Sequence, residues 1–233
     1  MYTDTKGPQA HPQPIEMSDA DIKTAIQEYA TAAQNAIEAG LDGVELHGAN
    51  GYLIEQFLHP DSNQRTDSYG GSIENRNRFA LEVMKAVIDA IGADRVGIRL
   101  SPYGVFNDLT LHDGIHEQYT ALIQGLEKLG PVYVHLVDHS PMGAPVPEPR
   151  TVEAIRKAFS RTLILSGGYN AEMAEKALEE NKGDLIAFGR PMLANPDLVE
   201  RFRNGAALND PDMNTFYTPG EAGYLDYPVL QSA

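Results

Sequence analysis

Cysteine is absent from the 233 residues, and this absence excludes disulfide bonds, thiolate metal sites and iron–sulfur clusters. The chain also has no apolar run near the roughly 20 residues that a membrane-spanning helix needs. Its amino-terminal segment contains no apolar stretch that could form the core of a signal peptide. From these absences we expect a soluble, cytoplasmic protein with no metal site.

Basic residues are scarce, because 18 Lys and Arg stand against 33 Asp and Glu, which gives a net charge of −15. A surface that binds nucleic acid or anionic lipid needs an excess of positive charge to displace counterions. This composition therefore argues against nucleic acid or a membrane as a partner. A local cationic pocket for one anionic ligand remains compatible with it.

Strand-like and helix-like segments alternate along the chain, after a Pro-rich, polar segment over residues 1–17 that we predict to be loop. Ser18 and Asp21 have the spacing of a capping box, and Gly40 ends a run of apolar residues at helical intervals. Further helices are predicted over about 73–91, 113–129, 171–181 and 197–203, with a short one at PRTVEAIRKAF. Five segments are predicted strands, nearly continuous in apolar residues: DGVELHG, DRVGIRLSP, VYVHLVD, TLILSGG and LIAFGR.

Strands of this kind are typical of parallel sheets that helices cover on both faces, which places the chain in the α/β class. The first strand lacks the GxGxxG turn of a dinucleotide-binding Rossmann fold. A TIM-type (β/α) barrel fits the alternation better, and in such barrels function lies where strands end. The strand ends carry polar residues or glycine, namely His47, Arg99, Asp138 with His139, Gly167 with Gly168, and Arg190.

Each strand end also has a purely structural interpretation. His47 alone could be a histidine that only stabilises the fold, and Arg99 could form a salt bridge with an acid such as Glu45. The glycine pair 167–168 could form a tight turn, or could let backbone N–H groups approach a phosphate. Because Arg190 follows on the next strand, the combination indicates a phosphorylated ligand held across the last two strands.

Five segments of the sequence carry a family resemblance. They are GVELHGANGYLIEQFLHPDSNQRTDSYGGSIENRNRF, VGIRLSPYG, LILSGGYN, LIAFGRPMLANPDLVER and TFYTPGEAGYLDYP. In this order they resemble the old yellow enzyme family, the FMN-dependent ene-reductases, over residues 15–230. The related dienoyl-CoA reductases carry an iron–sulfur cluster, which the lack of cysteine excludes here. The resemblance implies a TIM-type barrel with FMN as cofactor, NADPH or NADH as reductant, and a small-molecule enone as substrate.

The resemblance also implies roles for individual residues. His47 and Asn50 would donate hydrogen bonds to the carbonyl oxygen of an α,β-unsaturated substrate and stabilise the enolate oxygen that develops. Tyr52 would protonate the α-carbon, because an enolate carbon is basic enough to take a proton from a phenol. Arg99 would face the N1/O2 edge of the flavin. The FMN phosphate would be bound by Gly167, Gly168, Gly189 and Arg190, and Tyr224 would lie over the substrate pocket and bind substrate.

The chain departs from the family in the number of its strands. A TIM-type barrel has eight, whereas we count five βα units, the first of which resembles the fourth of the family. We therefore interpret residues 1–233 as a single domain, the carboxy-terminal part of an FMN-binding (β/α)8 barrel. The missing units would supply a Gln at the pyrimidine end of the flavin and a Thr near its O4, and no residue here matches these.

Two hypotheses of different class follow from this departure. In the first, the chain is an NAD(P)H-dependent ene-reductase that is active when another chain, or self-association, completes the barrel. In the second, it is a truncated, catalytically inactive homologue with an interaction or vestigial role. A phosphate-binding barrel lyase would require a Schiff-base lysine at a strand end, and none of the five ends has one.

Overall fold

The structure, a computed structural model, describes residues 12–230 and, nearer the amino terminus, the backbone of two short strands. These strands, β1 (Tyr2–Thr3) and β2 (Gly7–Pro8), pair antiparallel. The predicted loop over residues 1–17 is therefore wrong for these two strands, whereas residues 12–17 have no regular structure. A Pro-rich composition does not exclude so short a pair, because proline is tolerated on an edge strand. Residues 1, 4–6 and 9–11 of the prediction lie outside the described part.

Five parallel strands form the main sheet and follow one another across it in chain order. This arrangement confirms the α/β class and the five βα units of an incomplete TIM-type barrel. The first and last strands of the sheet are edges that no other strand in the described part of the chain covers. The five are β3 (Val44–Gly48), β4 (Val96–Leu100), β5 (Tyr133–Val137), β6 (Thr162–Ser166) and β7 (Leu185–Ala187).

The predicted helices are present, with ends close to those expected from the sequence. Among the described helices, none combines the length and the apolar character that crossing a bilayer demands. The helices are α1 (Asp19–Glu38), α2 (Leu53–Leu58), α3 (Ile73–Ile91), α4 (Ile115–Leu129), α5 (Pro149–Ala158), α6 (Ala171–Glu179), α7 (Arg190–Ala194) and α8 (Leu198–Asn204).

Two short helices, α2 and α7, were not predicted, because six and five residues are too few to show a helical period. The helix α7 changes the position predicted for Arg190. Arg190 was predicted to end a strand, but the strand stops at Ala187 and Arg190 begins the helix. Pro191 is the second residue of α7, and proline is well tolerated in the first turn of a helix, where its missing N–H has no partner to lose.

Local signals set the ends of the longer helices. The Ser18 hydroxyl accepts the N–H of Asp21, and the Asp21 carboxylate accepts the N–H of Ser18, which confirms the capping box. Ser72 caps α3 through the N–H of Asn75. After α1, Gly40 has a φ of 93°, a conformation that glycine adopts without strain. The turn chemistry of the sequence thus fixes where these helices begin and end.

The two faces of the sheet differ in polarity. Leu46, Ile98 and Val134 belong to the apolar core beneath the helices. The alternate positions point to the other face, which we call the inner face, with Glu45, His47, Arg99, His135 and Ser166. Polar residues therefore interrupt the apolar strands on the inner face, which also carries the buried apolar residue Val137.

The chain leaves β3 through a tight turn centred on Asn50 and Gly51. Both residues have positive φ, 61° and 72°, and the N–H of Tyr52 donates to the carbonyl of Ala49 at 3.3 Å. Positive φ at both central positions defines a type I′ turn, for which Asn-Gly is the preferred sequence. A side chain at position 51 would collide with the carbonyl oxygen of Phe106, 2.6 Å from its Cβ. The Asn-Gly pair thus places Asn50 and Tyr52 at the end of β3.

A buried carboxylate on α2 holds this turn. Glu55 is 3% exposed, and its Oε2 accepts the N–H of Gly51 at 2.6 Å. Its Oε1 accepts the hydroxyls of Ser101 at 2.6 Å and Tyr119 at 2.8 Å. The Ser101 oxygen in turn accepts the N–H of Asn50 at 2.9 Å. Burial raises the pKa of Glu55, although these hydrogen bonds act in the opposite direction. The carboxylate therefore joins the turn to β4 and α4.

Replacing Glu55 by glutamine should destabilise the fold by about 1–3 kcal/mol, because the amide NH₂ that replaces one carboxyl oxygen cannot accept a hydrogen bond and a buried donor loses its partner. Since the pKa of Glu55 is raised in the folded state, its contribution to stability is fully present below the ordinary value of 4.5. That contribution decreases as the pH rises through the raised value. The loss caused by the substitution should therefore be larger in acid than at neutral pH.

Urea unfolding followed by circular dichroism measures this difference across the pH range. Glu28→Gln is the matched control, because Glu28 is an exposed carboxylate on α1 and should be replaceable without effect. An unchanged urea midpoint for Glu55→Gln would contradict the role assigned to the buried carboxylate.

The open sheet predicts how the isolated 233-residue chain behaves in solution. Its edges, β3 and β7, present unpaired backbone groups, and such edges recruit other chains. We expect self-association or loose packing despite the net charge of −15. Size-exclusion chromatography with light scattering and thermal unfolding measure this. A polypeptide carrying three further barrel strands should restore a cooperative transition. A compact monomer with a sharp transition would show that the five units close on themselves.

Candidate active site

His47 lies at the carboxyl end of β3 on the inner face, where it is half-buried. Its ring centroid is 5.3 Å from that of Tyr52, and the two rings are tilted by 46°. Burial lowers the pKa of His47, and the charge of Arg99 lowers it further, whereas Glu45 acts in the opposite direction. His47 is therefore neutral at neutral pH and has one ring N–H to donate.

Asn50 and Tyr52 extend from the turn on either side of Gly51. The backbone of Asn50 is held at both of its polar groups, because the N–H donates to Ser101 and the carbonyl accepts the Asn107 side chain at 2.8 Å. Tyr52 is 55% exposed, so its phenol remains accessible at the mouth of the site. The structure thus brings the rings of His47 and Tyr52 side by side. Asn50, which lies between them in sequence, has its backbone held by Ser101 and Asn107.

The Asn50 side chain reaches across the strand ends to the end of β5. There the Nε2 of His139 lies 2.6 Å from the Oδ1 of Asn50, and His139 is 8% exposed. The two residues are 89 positions apart in the sequence. Sequence spacing therefore gave no signal for this contact, although His139 was noted as polar at a strand end.

Arg99 lies beside His47 on the inner face, in register with it across β3 and β4. Its Nε is buried and has no hydrogen-bond partner in the described structure. The salt bridge with Glu45 that the sequence suggested is not formed, because the Glu45 carboxylate instead meets the Nδ1 of His135 at 2.9 Å. Burial lowers the pKa of Arg99, and the more distant Glu45 charge partly offsets this. The site therefore contains a half-buried guanidinium without an anionic partner.

A second polar group lies on the inner face around Glu45. His135 bridges Glu45 and the hydroxyl of Ser166, with 2.9 Å on each side. Tyr133 extends over Gly97, where even a methyl group would collide with its ring. Burial and the Glu45 charge raise the pKa of Tyr133 to about 12. Sequence reasoning missed this group, although a histidine inside the apolar run VYVHLVD was the same kind of signal as Arg99.

The glycine pair after β6 has a structural need for glycine. Gly167 and Gly168 have φ values of 120° and 68°. A Cβ on Gly167 would lie 2.1 Å from the carbonyl oxygen of Asp138, and one on Gly168 would collide with Pro141. Glycine is therefore required at both positions by the local structure itself. Because neither residue has a side chain, the backbone here also stays accessible to a ligand.

The remaining predicted residues lie further along the chain. Gly189 is exposed and precedes α7, and the exposed Arg190 contacts the sulfur of Met142 through its Nη2. That contact joins the loop after β5 to the first residue of α7. Tyr224 is in the carboxy-terminal tail, where its hydroxyl accepts the N–H of Tyr217 at 2.9 Å. The described contacts do not bring Tyr224 to His47 or Asn50, so its place over the substrate pocket stays a prediction.

Comparisons with known proteins are consistent with this geometry. The sequence matches the NADH:flavin oxidoreductase / NADH oxidase family over residues 2–209. It is 45% identical over 225 residues to 12-oxophytodienoate reductase 1 of Oryza sativa subsp. japonica, which covers 94% of this chain and 58% of the relative. It is 47% identical over 223 residues to a Leishmania infantum protein named "Probable flavin mononucleotide-dependent alkene reductase", covering 95% of this chain and 60% of the relative.

Solved structures give the same relationship. Morphinone reductase aligns with a TM-score of 0.92 at 43% identity, over 98% of this chain and 62% of its own. A structure of morphinone reductase in complex with tetrahydroNAD aligns with a TM-score of 0.90. The chain therefore spans about three-fifths of the length of these relatives. Since the family match covers most of the sequence, the chain belongs to the NADH:flavin oxidoreductase / NADH oxidase family, the family of the old yellow enzymes.

Proposed function

We propose that this chain carries the substrate-binding and phosphate-binding side of an FMN-dependent NAD(P)H oxidoreductase. The reaction is reduction of the C=C bond of an α,β-unsaturated carbonyl compound. The observation that carries the proposal is the turn after β3, which sets an imidazole, a carboxamide and a phenol at the end of one strand, next to an unpaired guanidinium. The names of the relatives, which include an alkene reductase, support the same chemistry.

His47 and Asn50 bind the carbonyl oxygen of the substrate. A neutral imidazole and a carboxamide both donate N–H groups, and these donors are in place before the reaction begins. They polarise the C=C bond and stabilise the negative charge that develops on the oxygen, as in an oxyanion hole. Loss of one donor of this kind costs about 10²–10³ in rate.

Tyr52 supplies the proton. Its ring lies beside His47, so its hydroxyl is near a substrate whose carbonyl His47 holds. Protonation of the α-carbon balances the hydride that arrives at the β-carbon, and the phenol O–H bond is the one that breaks. Because Tyr52 is 55% exposed, the phenolate can recover a proton from water.

The charge of Arg99 and the glycines after β6 support FMN as the cofactor. The buried Nε of Arg99, which has no partner among the described residues, would donate to the N1/O2 edge of the isoalloxazine ring. The glycine pair 167–168 and Gly189 leave backbone accessible, and the exposed Arg190 is suited to bind the phosphate. Bound FMN would supply the hydride, which it takes from NADPH or NADH. The tetrahydroNAD complex of morphinone reductase supports a nicotinamide as the reductant.

The active form would need barrel strands beyond the five parallel strands in the described part of the chain. The relatives extend beyond the aligned region, which makes up 62% of the morphinone reductase chain. Residues from that uncovered part would close the sheet at β3 and β7 and supply the other side of the flavin site. The open edges also favour a second candidate, a catalytically inactive homologue whose sheet edge serves an interaction or is vestigial.

Tyr52→Phe should slow enone reduction by about 10²–10⁴, because the substitution removes the proton donor and leaves the donors to the carbonyl intact. Bleaching of the flavin absorbance by NADPH should continue near the parent rate. Stopped-flow measurements of the two half-reactions in the completed barrel test this. Tyr217→Phe is the matched control, since Tyr217 is 95% exposed in the tail. Enone turnover at the parent rate in Tyr52→Phe would mean that another acid serves.

The 233-residue chain alone should bind FMN much more weakly than a full-length relative, because one wall of the isoalloxazine site is absent. Titration by quenching of FMN fluorescence measures the affinity. In the completed barrel, Arg190→Ala should weaken binding by about tenfold, the value of a hydrogen bond to a charged group. Arg150→Ala, another exposed arginine, should not. Yellow, stoichiometrically loaded chain directly from purification would defeat the first expectation.

The FMN titration and an assay of enone reduction together separate the two candidate functions. A completed barrel that binds FMN and reduces enones supports the ene-reductase. A completed barrel that binds no FMN supports the inactive homologue.

A further inference from the structure

The end of β5 carries a histidine to which the proposed reaction assigns no role. His139 follows Asp138 and is only 8% exposed. Its carbonyl accepts the N–H groups of Met142 at 2.9 Å and Ala144 at 3.3 Å, which fixes its backbone. Its ring packs against Phe106, with 5.3 Å between the centroids. A buried imidazole on so constrained a backbone has few orientations available.

The polar partner of this histidine is the side chain of Asn50, with Nε2 and Oδ1 2.6 Å apart. An amide oxygen only accepts hydrogen bonds, so the hydrogen lies on Nε2 of His139. Burial lowers the pKa of His139, and the charges of Arg99 and Arg190 act in the same direction, opposed by Asp138. The neutral imidazole with its hydrogen on Nε2 is therefore the form that makes this contact at neutral pH.

The contact leaves only one polar atom of Asn50 available. Its N–H donates to Ser101, its carbonyl accepts from Asn107, and its Oδ1 accepts from His139. Its Nδ2 makes no hydrogen bond to any residue that the structure describes. Because Oδ1 and Nδ2 are bonded to one planar carbon, holding the oxygen directs the nitrogen to the opposite side. The NH₂ group is thus the part of Asn50 left for a ligand.

We propose that His139 is a positioning residue, which holds the Asn50 carboxamide so that Nδ2 rather than Oδ1 faces the carbonyl oxygen of the substrate. The inference rests on the proposed function. The terminal torsion of asparagine is soft, so an amide without this partner turns over easily. Its oxygen would then face the substrate oxygen and repel the charge that develops there, instead of stabilising it.

Two substitutions separate this role from simple packing. His139→Leu fills much of the space without a donor. His139→Gln restores an N–H near the position of the imidazole Nε2. If His139 only packs against Phe106, leucine should serve at least as well as glutamine. If it orients Asn50, glutamine should rescue what leucine loses.

Steady-state kinetics with cyclohexenone in the completed, FMN-loaded barrel provide the first test. His139→Leu should lower kcat about tenfold, the value of one hydrogen bond, while KM changes little because the charge on the oxygen develops in the transition state. His139→Gln should stay close to the parent. His116→Leu, a histidine bonded to Thr151 outside the site, is the control and should be unaffected. Parental kcat in His139→Leu, or equal losses in both His139 variants, would overturn the proposal.

A second measurement does not depend on activity. In the completed barrel without FMN, with ¹⁵N-histidine in this chain, long-range ¹H–¹⁵N spectra should show His139 with its hydrogen on Nε2. Asn50→Gly, which keeps a positive φ without strain, should abolish that preference. A hydrogen on Nδ1 in the parent chain would overturn the proposal. Should the parent barrel reduce no enone while the spectra are as expected, the proposed function fails and the hold of His139 on Asn50 stands.

Discussion

The carboxylate of Glu55 accepts hydrogen bonds from three parts of the chain, and the position of the turn at Asn50 and Gly51 depends on these bonds. An Asn-Gly turn is favoured by its sequence, but a turn alone does not fix its orientation relative to the sheet. Glu55 provides that orientation by binding Gly51, the end of β4 through Ser101, and α4 through Tyr119. Burying a carboxylate is costly, and hydrogen bonds to its charged form offset the cost. From this carboxylate a continuous path runs through Ser101 to Asn50.

A second constraint concerns the charges of the inner face. Glu45 is the acid nearest in register to Arg99, and pairing of the two would have left no guanidinium for a ligand. Instead the Glu45 carboxylate contacts the Nδ1 of His135 at 2.9 Å, and hydrogen bonds and nearby charges lower the pKa of Glu45 although burial acts in the opposite direction. Arg99 thus keeps a buried donor without a partner. A chain with a net charge of −15 can in this way present a cationic spot to an anionic ligand.

The sequence predicted the parts of this structure that local rules determine. The capping box at Ser18, the five strands and the long helices all follow from short-range patterns. What could not be predicted depends on contacts between distant segments. Glu55 looked like one more acid on a short amphipathic segment, and its three partners come from positions 51, 101 and 119. The sequence suggested Glu45 as the partner of Arg99. It could not show that His135, 90 positions from Glu45, binds this carboxylate instead.

The open sheet separates two requirements that a complete barrel meets together. The contacts that orient Asn50 are provided by this chain, since they come from Ser101, Asn107 and His139. The described part of the chain does not exclude water from the proposed site, because Tyr52 is 55% exposed. Electrostatic stabilisation of a developing oxyanion is much weaker in contact with water than in a closed site. Besides the other side of the flavin site, the uncovered part of the barrel would therefore contribute a lower dielectric around the Asn50 carboxamide, whose orientation this chain already holds.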